Sequence, residues 1–276
     1  MRRINLLIFA AIVLIVVGGG TIVLAATGNM PFVDSAARRR DRLTDALTEL
    51  AANAPEFSVA VLDKAGGGEF SYKGKEQFDT ASVVKAEVLA CTLLQAQDKK
   101  TALSAEQKTL TGKMIKSSDN DATTALFEQL GEVAGLTRCN KRFGLEETTV
   151  TKAWGLTRTT ADDQVRLLGD LVNDKSVLGV DSRQYAFDLM QAVNDDQNWG
   201  VPSVAKEGEA APVKNGWDTR KADGGLWAVN SIGRIVSPDR STNVSVAVLS
   251  HGNKSMEDGI ALVERVTGLT REYLKY

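Results

Sequence analysis

The sequence predicts an α+β fold: an antiparallel five-stranded sheet with flanking helices plus an inserted all-α subdomain. Three observations predict it. Two strand-like runs stand near the start of the chain and three near its end, with a long block of helical periodicity between them. The last three strands have short connections, which favours antiparallel pairing. The chain has 276 residues, 43% hydrophobic and 25% charged, so it can bury a core without staples.

The elements follow in order. Residues 1–3 are a basic head, and residues 4–26 carry no charge, a run long enough to span a bilayer as a helix. Val23-Leu24-Ala25 and Leu24-Ala25-Ala26 also read as cleavage sites, so 1–28 is a membrane anchor or a signal segment; its length favours the anchor. No cysteine follows the apolar run, so lipid attachment at a processed terminus is not indicated. Arg2 and Arg3 draw the N-terminus inward. Arg38, Arg39, Arg40 and Arg42, beyond the other end, read as a solvated helix face. The bulk of the chain is then extracytoplasmic.

Residues 29–34 form a linker, and 35–276 form the main domain, with its helical subdomain over about 75–205. Leu43, Ala46, Leu47 and Leu50 place an amphipathic helix over 36–52. Strands follow at 57–62 and 69–72, around a turn at 63–68. Helices are predicted at 82–97, 118–130, 161–172 and 182–193. A loop at 207–211 leads to strands at 211–217, 225–236 and 243–250, and a helix at 255–266 closes the chain.

Charge and composition exclude several classes. Lys and Arg number 33 against 35 acids, a net charge of -2, which argues against nucleic acid as a partner. His251 is the one histidine, and neither CxxC nor HExxH occurs. No metal site and no cofactor are therefore expected. A serine nucleophile here would need a base other than histidine.

Three short motifs carry chemistry. In Thr80-Ala81-Ser82-Val83-Val84-Lys85, Ser82 opens a helix beside unpaired N–H groups, and Lys85 returns to the same face one turn on. A partly neutral lysine there can take the serine proton. The same spacing recurs at Ser203 and Lys206, but after Pro202 and before a polar loop, with no apolar helix behind it. That copy reads as a decoy. Ser118-Asp119-Asn120 precedes a helical run and reads either as a helix cap or as polar groups reaching toward Ser82 and Lys85. Lys214-Asn215-Gly216 ends a strand. Gly216 admits a close backbone, and Lys214 offers a second cation to hold a carboxylate or to lower the pKa of Lys85. An ordinary strand end is its other reading.

Taken in this order and context, the motifs resemble those of the class A β-lactamase-like and penicillin-binding serine hydrolase superfamily, over about residues 35–276. The resemblance implies a groove between a helical part and a sheet. Ser82 would be the acylated nucleophile, with Lys85 as its base or one end of a proton relay. Ser118 would pass the proton to a leaving amine, and Asn120 would orient the substrate and Lys85. Lys214 would attract a substrate carboxylate. The N–H groups of Ser82 and Trp217 would form the oxyanion hole. Asn215, Gly216 and Trp217 thus join Asn120 on the substrate side. The substrate would be a β-lactam or a peptidoglycan stem peptide, cut at a D-alanyl amide.

The sequence also departs from that pattern. Asn215 replaces the usual threonine or serine, and the stretch from Ser82 to Ser118 is short. In class A β-lactamases a glutamate in a loop positions the deacylating water. Here residues 144–160 should hold it. Trp154 looks similar to the tryptophan that often precedes it, but Gly155 stands next. Glu146 and Glu147 sit in a solvent-friendly context. Acylation then has its residues, whereas release has no identified base unless Lys85 serves both steps. A slow acyl-enzyme is expected. The alternative is a penicillin-binding sensor or cell-wall-binding protein that acylates without turnover. Cys91 and Cys139 are either a disulfide or two buried thiols. His251 reads as a turn residue rather than a catalytic one, and Arg220 and Arg234 as surface charge rather than as helpers in binding a carboxylate.

Overall fold

The computed structural model describes residues 35–276, which form one compact unit. The expected anchor and linker, 1–28 and 29–34, lie outside the described residues. Seven strands are β1 (Glu56–Asp63), β2 (Gly68–Tyr72), β3 (Phe78–Asp79), β4 (Arg158–Thr159), β5 (Val213–Arg220), β6 (Leu226–Val236) and β7 (Asn243–His251). Eight α-helices are α1 (Ala36–Ala51), α2 (Val84–Asp98), α3 (Ala105–Lys116), α4 (Asn120–Leu130), α5 (Glu132–Arg142), α6 (Ala161–Asp170), α7 (Val180–Gln191) and α8 (Met256–Leu274). Among the described residues no helix is long and apolar enough to cross a membrane.

The main sheet has the order β2-β1-β7-β6-β5, and every neighbouring pair is antiparallel. Side chains alternate between its faces. Val244, Val246 and Val248 of β7 join the cluster that holds Leu43 and Leu47 of α1 and Val263 and Val266 of α8. Ala247 and Leu249 join the other cluster, with α2 and α6. Both faces are covered, so the interior of β7 is buried without interruption. Helix α8 runs past the expected 255–266 because Leu269, Thr270 and Arg271 are also buried, with Arg271 paired to Glu209 at 2.8 Å.

Two helices were not legible as such. In α3 only Thr111, Met114 and Ile115 are buried, so the apolar stripe is short; a capping box between Ser104 and Gln107 starts the helix. Helix α5 is polar and buries Gly135, Leu136 and Asn140. Gly131, at φ +92°, separates it from α4.

Helix α2 is buried on nearly every side. It carries Glu87, fully buried, whose carboxylate accepts from Asn140 Nδ2 and Gln164 Nε2, both at 2.8 Å. Burial pushes the Glu87 carboxyl up to about 7. A disulfide joins Cys91 of α2 to Cys139 of α5, with Cα atoms 5.8 Å apart, so the thiol alternative is set aside. The bridge closes a loop of 48 residues. The Cys91→Ala, Cys139→Ala double variant is expected to lose roughly 2–4 kcal/mol of stability in urea unfolding. An unchanged midpoint would show that the bridge adds nothing.

Candidate active site

The site begins with a strained turn. A 3-10 turn over Ala81–Val83 precedes α2, and Ala81 has φ +45°, the left-handed region that a residue with a Cβ rarely adopts. Such a conformation costs roughly 1–3 kcal/mol and persists only where its surroundings hold it. Thr80 N–H donates to the Thr157 carbonyl at 2.8 Å. Asn230 Nδ2, from β6, donates to the carbonyls of Asp79 and Thr80 at 2.9 and 3.0 Å. Asn230 is fully buried, and its own Oδ1 accepts from Ser250 N–H at 3.0 Å. Sequence reasoning missed this positioning residue, since one asparagine in a strand carries no local signal.

The turn presents Ser82, half-buried, to Lys85 at the first turn of α2. Lys85 Nζ lies 2.9 Å from Ser82 Oγ, 3.0 Å from Ser118 Oγ, 2.6 Å from the Ser118 carbonyl and 2.7 Å from Asn120 Oδ1. Two of these four partners, the carbonyl and the amide oxygen, can only accept. A neutral amine has two N–H donors and one lone pair. The two obligate acceptors take both donors, which leaves the lone pair for a hydroxyl proton. Burial brings the Lys85 ammonium down to about 8, against a small upward pull from Asp119.

Ser118 and its neighbours divide the two readings of their motif. Asp119 caps α4, accepting from Ala122 N–H at 2.7 Å. Ser118, at φ +55°, turns its hydroxyl into the site, and Asn120 sends its Oδ1 to Lys85. Lys214 Nζ lies 3.0 Å from Ser118 Oγ and 2.7 Å from the Asn215 carbonyl. That ammonium is buried and has no carboxylate partner among its hydrogen bonds. Burial first, and then the Lys85 charge, holds its pKa well below the usual lysine range. Ser118 Oγ therefore stands between two lysines.

Strand β5 explains the rest of the third motif. Lys214 and Gly216 share the sheet face that meets the turn. A Cβ on Gly216 would stand 2.6 Å from Ser82 N, 2.7 Å from Val83 N and 3.0 Å from the Thr80 carbonyl. Only glycine lets the two backbones approach this closely. Asn215 is corrected by the structure. It alternates to the opposite face, where its Nδ2 donates to the carbonyls of Gln197 and Trp199 at 2.8 and 2.9 Å. The Trp217 ring also lies on that side, 5.8 Å from Trp199. Trp217 could thus reach a substrate through its backbone rather than its indole.

Trp154 lies over Lys85, which is fully buried. Its ring centroid is 5.1 Å from Lys85 Nζ, and its Nε1 donates to Thr124 Oγ1 at 3.2 Å. Among the described residues no carboxylate hydrogen-bonds Ser82 or Lys85. Glu146 and Glu147 are exposed, and Gly155 has open space where a Cβ would be.

The remaining candidates lie elsewhere. Ser203 and Lys206 are exposed in and after a short 3-10 turn. His251 ends β7 and pairs with Glu56 at 2.8 Å. Arg234 is buried, not surface charge: it packs over Phe187 and donates to Asn243. Arg220 closes β5, and its side chain lies outside the described residues. A cavity of about 630 Å³ lined by β1, β2 and α6 contains none of the four groups around Lys85.

Comparison with known proteins gives three kinds of match. The family described as "Beta-lactamase enzyme family" matches residues 40–110 and 104–274. The protein named "Putative lipoprotein LppW" of Mycobacterium tuberculosis (strain ATCC 25618 / H37Rv) is 30% identical over 207 residues, which cover 72% of this chain. The match spans 65% of that relative's own length. Among solved structures, an ancestral class A β-lactamase is 25% identical with a TM-score of 0.70, covering 83% of this chain and 99% of that one. A mutant of PBP-A, in an acyl-enzyme complex with penicillin G, has a TM-score of 0.74 at 17% identity. It covers 87% of this chain and 97% of that one, and at that identity it speaks for the fold alone.

Proposed function

The chain belongs to the beta-lactamase enzyme family, and on that premise we propose that it is an extracytoplasmic serine hydrolase that forms an acyl-enzyme on Ser82. One observation carries the reading: Lys85 Nζ is 2.9 Å from Ser82 Oγ and 3.0 Å from Ser118 Oγ, with its two donors already engaged by obligate acceptors. Neutral Lys85 takes the Ser82 proton as Oγ attacks an amide carbonyl. The proton passes by Ser118 Oγ to the departing nitrogen. Lys214 holds Ser118 from its other side and offers its charge to a substrate carboxylate. The N–H groups of Ser82 and Trp217 face the developing oxyanion, a reading supported by the close approach at Gly216. Asn120 keeps Lys85 aimed at Ser82.

The substrate is a β-lactam or a D-alanyl amide of the cell wall. Support comes from the fold shared with PBP-A, which was solved as an acyl-enzyme with penicillin G. The second reading, a penicillin-binding sensor that acylates without turnover, is favoured by the lack of a carboxylate contacting Ser82 or Lys85 among the described residues. Residues 4–26 would hold the domain at the membrane. The disulfide and the lipoprotein name of the Mycobacterium tuberculosis relative support placement outside the cytoplasm.

The test follows the intact mass of the full-length protein over time with a fluorescent penicillin. The wild type is expected to gain one adduct, and Ser82→Ala none. Equal labelling of Ser82→Ala would overturn the assignment. An adduct lost in seconds to minutes marks a β-lactamase; one that lasts for hours marks a penicillin-binding enzyme or sensor.

A further inference from the structure

Lys85 Nζ is crowded. Four oxygens lie within 3.0 Å of it, and the Trp154 indole lies over it at 5.1 Å. A hydrolytic water needs both a base and a path to the ester carbon. After acylation the proton rests on the expelled nitrogen, which in a penicillin stays attached to the acyl group, so Lys85 is neutral and chemically able to serve as that base. What it lacks is an open side. The indole is held by its own hydrogen bond to Thr124, one turn along α4 from Asn120, which itself binds Lys85. The same helix face thus fixes both the lysine and its cover. Gly155, beside the indole, contributes no side chain that could recruit water.

We propose that Trp154 is a shielding residue that keeps water from Lys85 and so prolongs the life of the acyl-enzyme. This inference rests on the acyl-enzyme reading above. The step it restrains is hydrolysis of the Ser82 ester. Water loses a proton to Lys85 Nζ, and its oxygen bonds to the carbonyl carbon. The bond to Ser82 Oγ then breaks, Oγ recovers the proton, and a carboxylic acid departs. Trp154 sets how often water occupies the first position.

The experiment labels the full-length wild type, Trp154→Ala, Trp154→Phe and Thr124→Val with fluorescent penicillin and follows the adduct by intact mass, with and without hydroxylamine. Hydroxylamine attacks the ester without needing Lys85 as base, so it reports access rather than basicity. Trp154→Ala is expected to shorten the adduct lifetime about tenfold or more and to raise hydroxylamine sensitivity in parallel. Trp154→Phe keeps a ring face but loses the donor to Thr124, so it should fall between the wild type and Trp154→Ala. Thr124→Val, which frees the indole, should fall between the same two, and it decides the matter if Trp154→Ala does not fold. Equal lifetimes and equal hydroxylamine sensitivities across the folded variants would overturn the shield. Failure of the wild type to label would instead overturn the acyl-enzyme reading, and the shield with it.

Discussion

Lys85→Ala is expected to slow acylation of Ser82 by about a hundred- to ten-thousand-fold, the range that a positioned general base supplies. Lys85 Nζ is the only amine within hydrogen-bond distance of Ser82 Oγ among the described residues. The pH dependence gives the sign. Neutral Lys85 is the active form, and burial brings its pKa down to about 8. At pH 7 roughly one molecule in ten then carries the base form. The acylation rate should climb about tenfold for each pH unit below 8, stop rising above it, and fall where Lys214, whose pKa burial also lowers, loses its charge. Lys85→Ala should lose that inflection along with the rate. Lys85→Arg should behave like Lys85→Ala, because a guanidinium keeps its charge in proteins. Stopped-flow acylation across pH tests both points. A wild-type profile that is flat from pH 6 to 9 would remove Lys85 from the role of base.

Gly216→Val should abolish labelling while leaving a folded protein. A Cβ at this position meets two backbone nitrogens and a carbonyl at 2.6 to 3.0 Å, and backbone cannot rotate away as a flexible side chain does. Overpacking of this kind costs roughly 1–3 kcal/mol. Ser82 N is the nearest of the three, at 2.6 Å, so the added carbon displaces it. Loss of one oxyanion donor alone costs about a hundred- to a thousand-fold in rate. Gly112→Ala is the control: it lies in α3, with nothing within 4 Å of the added carbon. It should label like the wild type and gain up to about 1 kcal/mol from helix propensity. Normal labelling of Gly216→Val would show that the turn does not depend on this contact.

The residues of the candidate site were legible where spacing alone brings them together. Ser82 and Lys85 share a helix face, so three residues of separation suffice to bring hydroxyl and amine to 2.9 Å. Within Ser118-Asp119-Asn120 the sequence allowed a cap or a site. The structure uses the middle residue for the cap and its two neighbours for the site, a division that needs the left-handed turn at Ser118. Nothing in a serine or an alanine announces a positive φ, so the bends at Ala81 and Ser118 were hidden. Asn230 and Thr157 hold the Ser82 turn from distant parts of the chain, and such contacts have no local period to read. The five strands came from apolar runs and turns. Helix α3 was missed for lack of a full apolar stripe, although its Ser104 and Gln107 spell a capping box. Asn215 misled because a motif read as a unit ignores the alternation of a strand.

The order of the sheet has a consequence for how the protein survives at high concentration. β5 is an outer strand, and an outer strand with free N–H and C=O groups invites a second chain to pair with it. The turn that carries Ser82 meets the face of β5 at Gly216 and leaves the edge of the strand uncovered. Asp218 and Thr219, both exposed, follow with polar side chains that resist stacking. The other outer strand, β2, is only five residues long and carries the exposed Glu69. Short length and exposed polar side chains, rather than the Ser82 turn, are therefore what these outer strands set against self-association.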